Sequence, residues 1–214
     1  MRSCELLPNF DNLFETFVDN AIGRNRDIWD FCRILDSIEG TYCIALDGQW
    51  GSGKTFFVKQ VKMILDALNP NVKNEEMGEE KEQQVQNVCK SLSGGHHVEM
   101  QPQVCVYYDA WKNDNDNDPI LSIVYSILQA SEGSFQFPSE SKFFDKAAAI
   151  FDYFSGKNIK DVVESFKNHT IIDTLQAEKT LEKSISEFFD SLLPEKGNRL
   201  VVFIDELDRC KPTY

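Results

Sequence analysis

A run of eight residues in this chain has the types and spacing of a phosphate-binding loop. The segment reads Gly48-Gln49-Trp50-Gly51-Ser52-Gly53-Lys54-Thr55 and fits G-x-x-x-x-G-K-[ST]. Glycines let the backbone curl around an anion, so that successive amide N–H groups point at phosphate oxygens. Lys54 would neutralise the terminal phosphates of a nucleotide, and the Thr55 hydroxyl would ligate Mg²⁺. The predicted nucleotide-binding set is Gly48, Trp50, Gly51, Ser52, Gly53, Lys54, Thr55 and Phe56.

A second segment near the end of the chain has the residue types that complete such a site. Leu200-Val201-Val202-Phe203-Ile204 is an apolar run typical of a strand, and it ends in Asp205 and Glu206. Asp205 would hold the Mg²⁺ shell, and Glu206 would orient and polarise an attacking water. A strand followed by carboxylates is weak evidence when it stands alone. Its position after the glycine loop in the chain makes it a strong signal.

The elements around the glycine loop should place it at the start of a helix. Tyr42-Cys43-Ile44-Ala45-Leu46 has the composition of a strand buried on both faces. After the loop, Phe57, Val61, Ile64, Leu65 and Leu68 follow helical spacing until Asn69-Pro70. A strand, a glycine loop and a helix N-terminus place a phosphate at the positive end of the helix dipole. Residues 10–40 show two further helical stripes, which we expect to be core-forming N-terminal helices.

The rest of the chain divides into polar and helical stretches around one more strand. Residues 69–101 are rich in glutamate and poor in apolar residues, which predicts a solvated helix or a disordered insertion. Val104-Cys105-Val106-Tyr107-Tyr108 is the next apolar strand, and residues 131–198 carry three helical stripes. We therefore expect an α/β fold, with a parallel sheet flanked by helices and a helical insertion before the final strand.

Composition excludes several classes of protein. The formal net charge of −13 argues against general nucleic-acid binding, which needs clustered Lys and Arg. No apolar run is long enough for a transmembrane segment, and the N-terminus lacks a signal peptide. The six cysteines have no C-x-x-C spacing and are expected to be reduced thiols. These features predict a cytoplasmic protein, with peripheral membrane association left open.

Three motifs together resemble the KAP family of P-loop NTPases. The glycine loop resembles that family's tryptophan-bearing Walker A motif. Tyr108-Asp109-Ala110-Trp111-Lys112 is similar to its aromatic-Asn/Asp-Ala-Trp-basic motif. Ile204-Asp205-Glu206-Leu207-Asp208-Arg209-Cys210 is similar to its Walker B signature. The likeness extends over nearly the whole chain, so residues 1–214 are predicted to be one KAP-type P-loop NTPase domain.

The resemblance implies ATP and Mg²⁺ as cofactors. Together with the motif chemistry, the predicted catalytic residues are Glu206 and Lys54, and the predicted metal set is Thr55 and Asp205. Arg209, Asp109 and Trp111 are predicted to be trans-acting or structural residues. Family members are linked to phage exclusion in bacteria and to membrane-associated signalling in animals. In the implied core a further strand follows Walker B in sequence and lies between the two motif-bearing strands. The chain ends at Tyr214, nine residues after Asp205, so we expect an incomplete sheet and a truncated domain.

Two interpretations of the function stay open. The first is a P-loop ATPase in which hydrolysis drives a conformational change in an effector protein or a homo-oligomer. The second is a nucleotide-binding regulatory or interaction module without turnover. Glu206 favours the first, and the strands expected beyond position 214 are needed for it. A small-molecule kinase is a weaker third interpretation, because no cluster of lid arginines is visible.

Overall fold

The computed structural model describes residues 6–72, 74, 76–96, 99–114, 122–123, 126–127 and 197–211. These belong to two compact units, one formed by Met1–Asp109 with Gly197–Asp205 and one by Ala110–Lys196 with Glu206–Tyr214. Each unit is described by itself. The expected helical insertion over residues 131–198 lies outside the described residues, apart from the last two of that range.

Four helices form the helical layer of the first unit. Two of them, α1 (Phe10–Val18) and α2 (Asn25–Ser37), lie within the N-terminal region where helical periodicity predicts them. The third, α3 (Lys54–Ala67), begins at the last two residues of the glycine loop. The fourth, α4, spans Gly78–Leu92. Their apolar faces meet in one core, whose fully buried members include Phe17, Ile28, Cys32, Val61, Ile64, Val85 and Cys89.

Residues 69–101 were expected to form a solvated helix or a disordered insertion, and the structure has helix α4 within that range. Its Val85 and Cys89 are one turn apart and fully buried, because this narrow apolar stripe packs on the core shared by α1 and α3. Gln86 Nε2 also donates a 2.8 Å hydrogen bond to the Ala67 carbonyl. The glutamates of the first turn, Glu79 and Glu80, are exposed, as a solvated helix face requires. A few apolar residues at the right spacing were enough to order this polar segment.

The described sheet has two parallel strands, β1 (Gln103–Asp109) and β2 (Arg199–Asp205). Their register runs from Gln103 opposite Arg199 to Asp109 opposite Asp205. Both strands therefore end together, each on an aspartate. Helix α3 packs against β1, which is buried along most of its length. The sheet thus brings the end of the Walker B strand beside the Asp109 motif, as the α/β prediction requires.

The strand expected at residues 42–46 is absent from the described sheet. Residues 41–49 have no strand assignment, and neither β1 nor β2 pairs with them. These residues are exposed, with 70% of the Tyr42 surface accessible. Apolar composition indicated burial, but a strand exists only where a neighbour supplies the ladder hydrogen bonds. Within the described residues this segment has no such neighbour.

The described part of the second unit is small. It contains a 3₁₀ turn at Leu207–Arg209, which directly follows β2 in the chain, and the segment after β1. Lys211 N–H donates a 3.1 Å hydrogen bond to Asp114 Oδ1, which links these two pieces. Across the described residues of both units, no helix has the length and apolar character needed to cross a membrane.

Candidate nucleotide site

The glycine loop is shaped by backbone conformations that favour glycine. Gly51 and Gly53 have φ values of +76° and +84°, in the left-handed region where a Cβ is disfavoured. Between them the loop turns tightly, and Ser52 N–H donates a 3.1 Å hydrogen bond to the Gln49 carbonyl. A side chain at either glycine would strain this turn. The sequence pattern therefore corresponds to real conformational requirements in the loop.

The loop ends at the uncapped N-terminus of α3. The first helical bond runs from Phe57 N–H to the Gly53 carbonyl, at 2.9 Å. The N–H groups of Lys54, Thr55 and Phe56 consequently have no acceptor within the helix. No side chain caps Gly53, and the first turn carries no acidic residue. This helix end combines open donors with the positive pole of the helix dipole, which suits an anion.

Lys54 is held across the loop by backbone carbonyls. Its Nζ donates to the Gly48 carbonyl at 2.8 Å and to the Gln49 carbonyl at 3.3 Å. The ammonium therefore lies over the loop, where it can transfer its hydrogen bonds to phosphate oxygens. Trp50 protrudes from the same loop with 80% of its surface exposed. The indole therefore presents an aromatic face to solvent at the predicted phosphate-binding loop.

The Walker B carboxylate has a defined partner on the neighbouring strand. Asp205 lies opposite Asp109, and its Oδ2 accepts a 2.9 Å hydrogen bond from the Tyr107 hydroxyl. The Tyr107 ring also makes a cation–π contact, because Lys59 Nζ lies 4.5 Å from the ring centroid. Lys59 belongs to α3, the helix that begins with Lys54. Neither Tyr107 nor Lys59 was among the residues predicted from the sequence.

In the second unit, Glu206 has an unusual backbone and a charged partner. Its φ of +59° lies in the left-handed region, which is uncommon for a residue with a side chain. The Glu206 carboxylate forms an ion pair with the guanidinium of Arg209. That guanidinium lies 5.1 Å from the ring of Trp111. Trp111, Arg209 and Glu206 thus form a connected cluster within one chain.

The predicted residues are divided between the two compact units. The glycine loop with Lys54 and Thr55, together with Asp109 and Asp205, belongs to the first unit, and Glu206, Arg209 and Trp111 form the group in the second. Asp205 and Glu206 are neighbours in the chain and join the groups covalently. The role of each residue stays a prediction. Tyr107 could not be predicted from the sequence, because its hydrogen bond to Asp205 depends on strand register.

The oxygen donors present fit a magnesium ion rather than a metal held by protein alone. A threonine hydroxyl and an aspartate carboxylate are hard oxygen ligands, which Mg²⁺ prefers. Among the described residues, no group of three or more His, Cys, Asp or Glu side chains could hold a metal ion. Mg²⁺ commonly binds through one or two protein oxygens, several waters and the phosphates of its substrate. Thr55 and Asp205 are suited to that mode.

Comparison with known proteins agrees with the three motifs. The family model described as the KAP family P-loop domain matches residues 30–214. The match includes the glycine loop, the Asp109 motif and the Walker B segment, and it extends over more than half of the chain. No curated protein and no solved structure matches the chain significantly. By its sequence and by the α/β arrangement of its helices and parallel strands, the chain belongs to the KAP family of P-loop domains.

Proposed function

We propose that this chain binds ATP with Mg²⁺ at the glycine loop and hydrolyses it to drive a conformational change. The observation that carries the proposal is the start of α3. There, three helical N–H groups have no helical acceptor, and the ammonium of Lys54 is hydrogen-bonded to the Gly48 carbonyl of the same loop. Lys54 would bind the β- and γ-phosphates, while Thr55 and Asp205 would hold the metal. The resemblance to ATP-binding family members supports ATP over other nucleotides.

Hydrolysis would depend on Glu206. Phosphoryl transfer needs a positioned water and stabilisation of the developing charge, and bound Mg²⁺ supplies part of that stabilisation. Glu206 directly follows the metal-binding aspartate, which is the position from which a carboxylate orients the attacking water. A conformational switch follows because contacts made to the γ-phosphate are lost when it is released. An attached effector or a homo-oligomer would respond to that change.

A second candidate function is nucleotide binding without turnover, in a regulatory or interaction module. Two observations favour it. Glu206 is bound to Arg209 rather than presented alone, and residues 41–49 lie outside the described sheet. Both features work against the fixed positioning that supplies nearly all catalysis of phosphoryl transfer. Binding would survive them, because the loop and the helix N-terminus are local structures.

Calorimetric titration with a non-hydrolysable ATP analogue tests the binding site. Lys54→Ala replaces a charged phosphate contact with a methyl group, so we expect the affinity to fall about 10- to 100-fold. Lys90→Ala is the matched control, because Lys90 is an exposed lysine on α4. Equal affinity of Lys54→Ala and the unmodified chain would place the nucleotide elsewhere.

A phosphate-release assay separates the two candidate functions. Turnover that Glu206→Gln abolishes, with nucleotide affinity retained, supports the ATPase. Binding without measurable turnover in the unmodified chain supports the regulatory module. The substitution keeps the size of the side chain and removes only the carboxylate charge.

A further inference from the structure

Tyr107 connects the two segments that carry the predicted metal ligands. Its hydroxyl donates to Asp205 Oδ2 over 2.9 Å, and the two residues are far apart in the chain. Its ring lies beneath the ammonium of Lys59, with 4.5 Å from Nζ to the ring centroid. One side chain therefore contacts both the Walker B strand and the helix that begins at Lys54.

The strand register explains why the hydroxyl meets this carboxylate. Tyr107 lies directly opposite Phe203, which is two residues before Asp205. Residues two apart in a strand point to the same face, so Tyr107 faces Asp205 along the diagonal of the sheet. A tyrosine is long enough to cover that diagonal distance. Because both strands are fixed by their ladder, the donor is held in place before any metal arrives.

Lys59 ties the same tyrosine to the loop helix. Lys59 follows Thr55 by four residues in α3, so the two side chains lie one turn apart on the same face of the helix. A lysine over a tyrosine ring is attracted to the negative face of the π system. The contact sets the position of the ring relative to the helix that presents Thr55.

We propose that Tyr107 is a positioning residue for magnesium, orienting the Asp205 carboxylate toward the metal ion that Thr55 also ligates. The inference rests on the proposed function and deepens it. Outer-shell hydrogen bonds of this kind orient the ligands of many metal sites, and their loss typically lowers metal affinity about 10- to 100-fold. Tyr107 would act through Asp205 without touching the nucleotide.

The test is Tyr107→Phe in the full chain, which removes only the hydroxyl. The affinity for a non-hydrolysable ATP analogue is measured by calorimetry in EDTA and again in saturating Mg²⁺. We expect the EDTA affinity to stay unchanged and the gain on adding Mg²⁺ to shrink on the order of tenfold. Circular dichroism of both proteins checks that the fold is retained. Tyr42→Phe makes the same chemical change at an exposed tyrosine and should leave the magnesium gain intact.

A double-mutant cycle with Asp205→Asn distinguishes positioning from a general structural effect. If Tyr107 acts through Asp205, the substitution Tyr107→Phe has no further effect on the magnesium gain in the Asp205→Asn background. An unchanged gain in Tyr107→Phe alone, or full additivity of the two substitutions, would overturn the inference. Absence of analogue binding by the unmodified chain would instead refute the proposed function. Binding by the unmodified chain that is strong in EDTA and insensitive to Mg²⁺ would refute the role of Tyr107 together with the magnesium part of the proposed function, and would leave nucleotide binding at the glycine loop standing.

Discussion

Lys62 and Asp66 form an ion pair, and replacing Lys62 should destabilise the protein more than replacing Asp66. Lys62 Nζ lies 2.5 Å from Asp66 Oδ2 on α3, with side-chain exposures of 29% and 6%. Burial favours the neutral amine, but the Asp66 carboxylate outweighs it and raises the pKa of Lys62. The lysine is therefore charged at neutral pH, and its buried partner depends on it.

The side-chain exposures of Lys62 and Asp66 determine how much free energy of unfolding each substitution should cost. Removing one member of a buried pair destabilises a protein by about 3–5 kcal/mol, because the other charge is left without compensation. Lys62→Met leaves Asp66 almost wholly buried, so we expect the full effect of about 3–5 kcal/mol. Asp66→Asn leaves a lysine that can extend its ammonium into water, so we expect a smaller loss of about 1–2 kcal/mol. The double variant should lose less than the sum of the two.

The pH dependence of Lys62→Met gives an independent check. Burial raises the pKa of the Asp66 carboxyl, and removing Lys62 takes away the cation that opposes this shift. A carboxyl whose pKa is raised in the folded state favours folding below its ordinary pKa of about 4, and loses that contribution as pH rises. The destabilisation of Lys62→Met should therefore be smallest near pH 4 and grow toward pH 7.

Urea denaturation followed by far-UV circular dichroism measures these free energies of unfolding. The reasoning fails if the two single variants lose equal stability, if their effects add in full, or if the loss in Lys62→Met does not depend on pH. Any of these results would show that solvent screens the pair.

Two other predictions concern the thiols and Arg209. Burial raises the pKa of Cys89 from 9.0 to about 12, so at pH 8 its thiolate fraction should be about a thousandfold below that of an ordinary thiol. Iodoacetamide labelling read by mass spectrometry should modify the exposed Cys43 before the buried Cys32, Cys89 and Cys105 in the native protein. Labelling of Cys89 as early as Cys43 would contradict its burial. Arg209→Ala removes the ion pair with the Glu206 carboxylate, so any ATP turnover in a phosphate-release assay should rise, whereas Lys211→Ala should not change it. A fall in turnover with Arg209→Ala would instead favour the expected trans-acting role of this arginine.

Local pattern predicted much of the fold. Helices α1, α2 and α3 follow stripes whose period is visible in the sequence, and β1 and β2 follow short apolar runs. Helix α4 was only one of two alternatives in the prediction, because polar residues dominate its composition and only two of its residues are fully buried. Residues 42–46 have the composition of a strand, yet pairing depends on a neighbour that the local sequence does not specify.

In the candidate site, too, local motifs could be predicted from the sequence and contacts between separate segments could not. The glycine loop and the Walker B carboxylates are contiguous motifs, so their chemistry could be read from residue types alone. The contacts of Asp205 with Tyr107 and of Tyr107 with Lys59 join separate segments, and they follow from register and helix packing. The ion pair of Arg209 with Glu206 could have been predicted, because the two residues are three apart in the chain. The contact of Arg209 with Trp111 could not, because it joins separate segments.

The left-handed backbone conformation at Glu206 sets the stability of the protein against its proposed chemistry. A residue with a Cβ is disfavoured in that conformation by roughly 1–2 kcal/mol, and glycine would adopt it freely. The bond to Arg209 offsets part of this strain, so the arginine acts as a local stabiliser in the resting state. Any step that frees the carboxylate to meet a water also removes that compensation. Activation would thus weaken the turn after β2, and glycine at position 206 would relieve the backbone strain while removing the carboxylate that the proposed hydrolysis requires.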